Sequence, residues 1–288
     1  MKLALIGVGL IGGSFALALR AAREVDSVAG FDTDAQALAI GMDRGVLTRR
    51  ATSLIDAVRD ADLVVVATPV GAMGETLAAM APGLAPAAVI TDVGSTKQSV
   101  IDDACAALGA GAARFVPAHP IAGGERPGVA HADPGLFAGR LAITTPTPQT
   151  DAEALRQVER LWRVVGAHVE RLSPADHDRI FAAVSHLPHV LAFALVDMIA
   201  RSPDAAACFA HAGAGFRDFT RIAASSPDMW RDVCLANRAP LLAQVASYRA
   251  QLAELEAAIA AADGEALHRM FDSAAQARRA FGTPSAGT

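Results

Sequence analysis

The chain has 288 residues, which is enough for one large domain or for two of ordinary size. Its formal net charge of −5 gives no basic surface for nucleic acid, and no apolar run has the length of a membrane span. Glycines interrupt the apolar N-terminus, so a signal peptide is not expected. The three cysteines are widely spaced and lack a CxxC pair, as is typical of reduced thiols in a cytoplasmic protein.

The first 32 residues have the pattern of a strand, a glycine-rich turn, a helix and a second strand ending in an acid. In a dinucleotide site the first glycine allows the turn, the second admits a pyrophosphate, and the third lets helix and strand pack closely. The helix N-terminus attracts phosphate, and the acid accepts hydrogen bonds from a ribose. The alternative is a turn that serves only helix–sheet packing. The expected cofactor contacts here are Gly7, Gly9, Leu10, Ile11, Gly12 and Asp32.

Strand and helix patterns alternate through the first half of the chain. We predict a helix at 35–44 and strands near Val46 and at 61–68, 89–93, 114–117 and 140–144. The run at 61–68 is typical of a parallel strand buried on both faces. This alternation predicts an α/β fold with a Rossmann-type doubly wound sheet.

Beyond Asp151 the pattern becomes helical. A helix is expected at 152–165 and a last short strand at 168–172, and Ser173-Pro174 is typical of the start of a long helix that runs to about Ile199. The remainder, to Phe281, has helical spacing without a clear strand. We therefore predict a dinucleotide-binding domain at 1–165 and an all-α domain at 166–288.

Candidate contact residues lie at or just after the ends of three of the predicted strands, where ligands bind in sheets of this kind. These residues are Thr68 and Pro69, Ser95, and His119. A histidine at such an edge is suited, by its near-neutral pKa, to accept a proton as hydride leaves a carbinol carbon. Ser95 is suited to hydrogen-bond the same oxygen. The position of His119 is equally compatible with a purely structural role, in which it caps the strand or bonds the backbone.

The long helix carries a polar stripe. At 100° per residue Ser185 and His189 each fall within about 20° of Asp178, and His186 lies about 80° from Asp178. Because unpaired polar groups are costly to bury, the stripe either lines a cleft or pairs with other side chains. His186 and His189 have the spacing of metal ligands, but without a third ligand or an HExxH pattern we predict no metal site.

A third group of polar residues lies at 215–231. Arg221 is suited to clamp a substrate carboxylate through two hydrogen bonds. The alternative is a surface ion pair with Asp218, three residues earlier on the same helix.

Together these segments resemble the prephenate and arogenate dehydrogenase family of tyrosine biosynthesis. The resemblance spans nearly the whole chain and rests on GVGLIGGS (7–14), DVGSTK (92–97), HPIAGGE (119–125), DHDRIFAAVSHLPHVLAFAL (176–195) and GFRDFTRIAASSPDMWRD (215–232). It implies an enzyme that oxidises a cyclohexadienol with NAD, releases carbon dioxide and leaves an aromatic ring. It also implies a homodimer that forms through the helical domain.

The resemblance implies a role for each candidate residue. His119 takes the proton of the ring hydroxyl, and Ser95 holds that hydroxyl or orders the nicotinamide. Arg221 binds a substrate carboxylate, and His189 and Ser185 lie along the side-chain end of the pocket. The other expected substrate contacts are Glu125 and Asp178 at the pocket rim, Trp230 in the neighbouring subunit's site, and His186 and Asp218.

Asp32 favours NAD over NADP, because a carboxylate repels a 2′-phosphate and no arginine stands at 33–40 to bind one. Two other functions remain open at this stage. One is a two-domain dehydrogenase of 3-hydroxy acids, in which Lys97 would be the catalytic lysine. The other is a non-catalytic NAD-sensing protein, for which the glycine turn alone would suffice.

Overall fold

The structure is a computed structural model that describes residues 1–124 and 126–281. Glu125, an expected substrate contact, therefore lies outside the described residues. Contacts between residues divide the chain into two compact units, 1–238 and 239–288. The boundary expected from the sequence, between residues 165 and 166, falls inside the first unit and stays a prediction.

Six parallel strands form the main sheet of the first unit, in the order β3-β2-β1-β4-β5-β6. Side chains alternate between the two faces of β1, so Leu3 and Leu5 join one buried cluster while Ala4 and Ile6 join the other. The predicted Rossmann-type doubly wound sheet is thus confirmed. Its strands are β1 (Lys2–Ile6), β2 (Ser27–Phe31), β3 (Arg49–Arg50), β4 (Leu63–Val66), β5 (Val89–Asp92) and β6 (Phe115–Val116).

Helices cover both faces of this sheet. One face packs against α1 (Leu10–Ala21), α2 (Ala35–Asp43) and α6 (Ala152–Val164), and the other against α3 (Leu54–Val58), α4 (Met73–Met80) and α5 (Gln98–Leu108). The short strand expected near Val46 begins three residues further on, at Arg49, and Val46 and Leu47 precede it as buried core side chains.

A second sheet of three strands lies outside the main sheet. It consists of β7 (Ala118–Pro120), β8 (Leu141–Thr144) and β9 (His168–Arg171), with β7 antiparallel to β8 and β8 parallel to β9. The runs at 140–144 and 168–172 are therefore strands, as expected, but not strands of the doubly wound sheet. A short apolar run indicates a buried strand, but it does not show which other strand that strand pairs with. His119 lies on β7, opposite Ile143, and not in a loop.

The rest of the described chain is helical, as predicted. The first unit continues with α7 (Pro174–Phe181), a π-helical turn (Ala182–His186), α8 (Leu187–Ala200), α9 (Ala205–Ala210), α10 (Ala214–Thr220) and α11 (Pro227–Ala236). The second unit contains most of α12 (Arg238–Ala260) and all of α13 (Gly264–Phe281). Pro188 accounts for the π-helical turn, because in an uninterrupted α-helix its ring would meet the carbonyl of Val184.

The helical run Pro174–Ala200 is, within the described residues, long and apolar enough to cross a membrane by length and composition alone. No membrane span is expected from the sequence, so this run is a difference from that expectation. Two polar residues of this run, His177 and Asp178, are buried in hydrogen bonds with other elements of the first unit. These contacts account for the run as part of a folded unit.

Candidate active site

The glycine turn between β1 and α1 leaves room for a ligand. Gly7 has φ +89°, and a Cβ on it would stand 2.6 Å from the carbonyl oxygen of Ala67. A Cβ on Gly12 would stand 2.7 Å from Leu5, so this glycine lets helix and strand pack closely. At Gly9, by contrast, no described atom lies within 4 Å of where a Cβ would project. The turn therefore has the three properties expected of a pyrophosphate site.

The other expected cofactor residues lie around this turn. Within the described residues no side chain caps α1, so the first-turn amides of Leu10 and Ile11 remain available to an anion. Thr68 and Pro69 follow Ala67, in the loop after β4. Because β1 and β4 are neighbours whose connections run to opposite sides, this crevice is where such sheets bind ligands.

Asp32 stands at the end of β2 and faces the turn. Its Oδ2 accepts a hydrogen bond from the amide of Val8 at 2.6 Å, and its Oδ1 accepts one from the amide of Asp34 at 2.8 Å. These bonds fix a partly exposed carboxylate beside the expected pyrophosphate position. The observed residues therefore fit NAD.

A buried ion pair sets the start of β7. Lys97 and Asp92 are both inaccessible to solvent, and their Nζ and Oδ2 atoms are 2.5 Å apart. Lys97 also donates to the carbonyl of Ala118 at 2.7 Å, and Asp92 Oδ1 accepts from the amide of Ala118 at 3.0 Å. The pair thus fixes the residue before His119. Lys97 is engaged in holding the backbone, which argues against its role as the catalytic lysine of a 3-hydroxy acid dehydrogenase.

His119 begins a hydrogen-bonded triad with His177 and Asp178. Its Nδ1 is 2.8 Å from Nε2 of His177, and Nδ1 of His177 is 2.8 Å from Oδ1 of Asp178. His177 is not among the residues expected from the sequence, because it lies outside the predicted polar stripe. Two signals could have found it, namely its place in the motif at 176–195 and its position next to Asp178.

The sequence predicts Asp178 at the rim of a pocket, but the structure places it in the interior. It is 3% exposed and accepts hydrogen bonds from the amides of Lys97 and Gln98, at 2.8 and 2.9 Å. Those amides stand at the N-terminus of α5, where a negative charge is stabilised. The hydrogen bonds from His177 and from these amides lower the pKa of Asp178, against the opposing effect of burial. Asp178 is therefore an ionised group that joins α7 to α5.

His186 is also placed differently from the sequence-based expectation. It is completely buried, and its Nδ1 lies 3.0 Å from Nδ2 of Asn237, which also donates to the carbonyl of Asp178. The π-helical turn explains the change, because its wider winding rotates His186 toward the face of Asp178. His186 is therefore an interior group that contacts Asn237, with no surface exposed to solvent.

Burial lowers the pKa values of the histidines in this region. The pKa of His119 lies well below 6.5 because of desolvation, followed by the nearby charges of His177, Lys97 and His186. Desolvation also lowers the pKa of His177, and it lowers that of His186 to about 4. His119 is therefore neutral near pH 7, which is the form that accepts a proton.

His189, Trp230 and Arg221 form the other side of the region. The ring of His189 stacks on that of Trp230, with centroids 3.6 Å apart, and its Nδ1 donates to the carbonyl of Ser185 at 2.9 Å. The charge of Arg221 lowers the pKa of His189, after the larger effect of desolvation. Trp230 is 8% exposed and contacts His189 and His186 of its own chain. A role for it in a neighbouring subunit's site stays a prediction.

Ser95 and Asp218 complete the expected set. Ser95 is partly exposed in the loop between β5 and α5. A hydrogen bond with the backbone of Ser95 raises the pKa of His186, against the larger effect of desolvation. Asp218 is exposed on α10, and in the described part of the chain no ion pair within 4.0 Å joins it to Arg221. The arrangement therefore offers a neutral imidazole at His119 and a cation at Arg221 that acts on His189, which suits removal of a proton from an alcohol.

Family models match this chain over nearly its whole length. The model described as "Prephenate dehydrogenase, nucleotide-binding domain" matches residues 15–171, and "Prephenate dehydrogenase, dimerization domain" matches residues 173–273. The chain belongs to the prephenate dehydrogenase family. It is an NAD-dependent dehydrogenase of that family. Asp32 lies within the residues that match the nucleotide-binding model, and the glycine turn directly precedes them.

Individual relatives agree with this assignment. The chain is 38% identical to prephenate dehydrogenase of Bacillus subtilis, over 94% of this chain and 73% of that protein. It is 36% identical to cyclohexadienyl dehydrogenase of Zymomonas mobilis, over 98% and 96% respectively. The crystal structure of Aquifex aeolicus prephenate dehydrogenase in complex with hydroxyphenyl propionate and NAD+ superposes with a TM-score of 0.89 at 35% identity, covering 97% of this chain and 98% of that one.

Membership of the prephenate dehydrogenase family gives the position of Asp32 a testable consequence. We expect kcat/KM to be higher with NAD than with NADP, because a 2′-phosphate would meet the carboxylate that Val8 and Asp34 hold in place. The neutral variant D32N is expected to narrow this preference by about tenfold, which corresponds to about 1.4 kcal/mol. D60N, which removes the same charge from an exposed site, should leave the ratio unchanged. Equal turnover of the wild-type protein with both dinucleotides would refute the argument.

The buried His186 predicts a loss of stability in acid. Between pH 6.5 and about 4 the unfolded chain binds a proton at His186 that the folded chain does not, so the free energy of unfolding falls as the pH is lowered. This histidine alone contributes about 1.4 kcal/mol per pH unit in that window. H186N keeps an acceptor for Asn237 and removes the titration, so its slope in urea unfolding should be smaller by about that amount. An unchanged slope would show that His186 is protonated in the folded state.

Proposed function

We propose that this protein catalyses the NAD-dependent oxidative decarboxylation of prephenate to 4-hydroxyphenylpyruvate, a step of tyrosine biosynthesis. The observation that carries the proposal is the family match, which extends over both domain models. The hydrogen-bonded His119 supports it, because the reaction needs a neutral base at a carbinol hydroxyl. Aromatisation of the ring makes the reaction strongly downhill, so orientation, one base and charge pairing are what the protein must supply.

In this proposal His119 accepts the proton of the ring hydroxyl at Nε2, since Nδ1 is engaged with His177. Bound NAD supplies the acceptor for the hydride that leaves the carbinol carbon. A base with a low pKa is sufficient here, because the hydroxyl becomes strongly acidic as the hydride departs. Ser95 donates a hydrogen bond to the same oxygen and keeps it aligned with the imidazole.

Arg221 binds a substrate carboxylate in this proposal, and His189 and Ser185 line the side-chain end of the pocket. The support is electrostatic. The charge of Arg221 lowers the pKa of His189, and a charge on His189 lowers the pKa of His186. His186 in turn acts on His119, so the base and the cation belong to one cluster. Trp230 supports the His189 ring, and Glu125 and Asp218 remain proposed contacts at the rim.

Arogenate, which would yield tyrosine, is a second candidate substrate, since it differs from prephenate only by an ammonium in place of a keto group. The Zymomonas mobilis relative is named for the cyclohexadienyl ring and not for the side chain. His189 suits the keto acid, whereas an acidic group at the rim would favour the ammonium. Comparing kcat/KM on the two substrates ranks them.

We also propose that the protein is a cytoplasmic homodimer. Its second family domain is described as a dimerization domain. Large apolar side chains are more than half exposed in both units, as expected of helices that pack against a second copy. They include Val184, Met198 and Leu235 in the first unit and Ile259 and Phe271 in the second.

The decisive experiment incubates the purified protein with NAD and prephenate and follows the absorbance of NADH. We expect NADH to form in proportion to 4-hydroxyphenylpyruvate and carbon dioxide. A 3-hydroxy acid tested in parallel should give no signal. Absence of NADH formation with prephenate and with arogenate, in protein that binds NAD, would reject the proposal.

A further inference from the structure

The middle member of the triad, His177, has no role in the proposed chemistry so far. Its side chain is completely buried, and its ring stacks on Phe181 with centroids 4.5 Å apart. The ring of His119 meets it edge to face, with centroids 5.1 Å apart. Because His177 is inaccessible to solvent and to substrate, anything it does in the reaction must pass through His119.

The positions of the protons follow from the carboxylate at the end of the triad. Asp178 accepts hydrogen bonds from two backbone amides at the N-terminus of α5, and an ionised carboxylate can only accept. Nδ1 of His177, 2.8 Å away, must therefore carry a proton. Neutral His177 then has a lone pair on Nε2, and His119 must donate its Nδ1 proton to that lone pair. Nε2 of His119 is left with its lone pair.

We propose that His177 and Asp178 are positioning residues that hold His119 as its Nδ1-protonated tautomer and present the basic Nε2 to the substrate hydroxyl. This inference rests on the proposed function, in which His119 is the base. The step that it prepares breaks the O–H bond of the substrate and forms an N–H bond at Nε2. His119 then becomes a cation, and its hydrogen bond to His177 becomes charge-assisted and stronger.

The surroundings of the triad favour this assignment. Asp178, Lys97 and Asp92 are the charged groups that act on His177, and His177, Lys97 and His186 act on His119. Desolvation and the charge of Lys97 keep the rings of His119 and His177 neutral. Each ring therefore carries one N–H proton, and the nitrogen that lacks it is the one that can accept a proton. Asp92 and Lys97 also fix the backbone at Ala118, which fixes the distance between His119 and His177. A base held in this way loses its activity if the proton moves to the other nitrogen.

The first test needs no substrate. Heteronuclear NMR of the whole protein, labelled in its histidine nitrogens, reports which nitrogen of His119 carries the proton, and H119N identifies the signal. We expect the proton on Nδ1 near pH 7. A proton on Nε2 in the wild-type protein would overturn the inference, whatever the substrate of the enzyme is. This readout therefore separates failure of the inference from failure of the proposed function.

The second test uses two variants that split the contacts of His177. H177Q places an oxygen near the position of Nε2 and keeps the acceptor for His119. H177N is too short to reach His119 but keeps a donor for Asp178. In H177N nothing holds the proton of His119 on Nδ1. We therefore expect kcat to fall by about 10²-fold, the loss that a misplaced catalytic group causes, with little change in KM. H177Q should recover most of that loss.

Circular dichroism and thermal melting of both variants show whether each is folded. Equal losses of kcat in folded H177N and H177Q, with the proton of His119 on the same nitrogen in both, would mean that His177 only fills space. That result would overturn the inference.

Discussion

The variant H119N is expected to lower kcat by about 10²–10⁴-fold, the contribution of a positioned base, and to leave KM for prephenate nearly unchanged. Asparagine can still donate a hydrogen bond to Nε2 of His177, so the triad keeps its partner. It has no lone pair where Nε2 of His119 stands, so the hydroxyl proton has no acceptor. Steady-state kinetics with prephenate and saturating NAD measure both constants.

The pH profile gives a second measurement on the same residue. Because the pKa of His119 lies well below 6.5, its neutral form persists into mild acid. We expect kcat to stay level as the pH falls through 6.5 and to decline only in more acidic solution. H168N, which changes an exposed histidine on β9, is the matched control and should behave as the wild-type protein does. Normal turnover by H119N would remove His119 from the mechanism.

The variant R221A is expected to weaken binding of prephenate by about 1.5–3 kcal/mol, the range for a hydrogen bond to a charged group. The corresponding rise in KM is about ten- to 150-fold, and kcat should change less. Arg221 begins a 3-10 turn after α10, and its charge acts on His189 beside Trp230. R221K keeps the charge but loses the planar fork, so it should restore only part of the affinity.

Arg201 provides the control for Arg221. It forms an exposed ion pair with Asp197, with Nε and Oδ2 2.9 Å apart, and surface pairs of this kind contribute little. R201A should therefore leave KM for prephenate unchanged. If R221A also left KM unchanged, Arg221 would be a surface residue and another group would have to bind the carboxylate.

The nucleotide-binding turn could be predicted from sequence because its constraints are local. Gly7, Gly9 and Gly12 lie within six residues. Gly7 has a positive φ, Gly12 stands where a Cβ would meet Leu5, and Gly9 leaves open space beside the turn. Asp32 follows β2 directly, and its two hydrogen bonds go to amides of the turn and of its own loop. The buried strands expected at 61–68 and 89–93 could also be predicted from sequence, since continuous apolar runs indicate burial on both faces.

The triad could not be predicted in this way. Its members come from β7 and α7, and Asp178 is placed by amides about 80 residues away in the chain. The angles between 178, 185 and 189 on a helix hold only for an ideal α-helix, and the π-helical turn before Pro188 changes them. As a result His186 faces Asn237 in the interior. Asp178 is buried for a different reason, because the amides of Lys97 and Gln98 donate hydrogen bonds to it.

The sequence by itself determined the Rossmann-type sheet, the dinucleotide turn, the helices that follow residue 173 and the family. These depend on periodicity, on glycine geometry and on long motifs, all of which are properties of contiguous residues. Only the tertiary structure decided that β7, β8 and β9 form a separate sheet, that Lys97 holds the backbone, and that His177 stands between His119 and Asp178. Those outcomes depend on which buried polar groups find partners across the fold, because an unpaired one is too costly to keep.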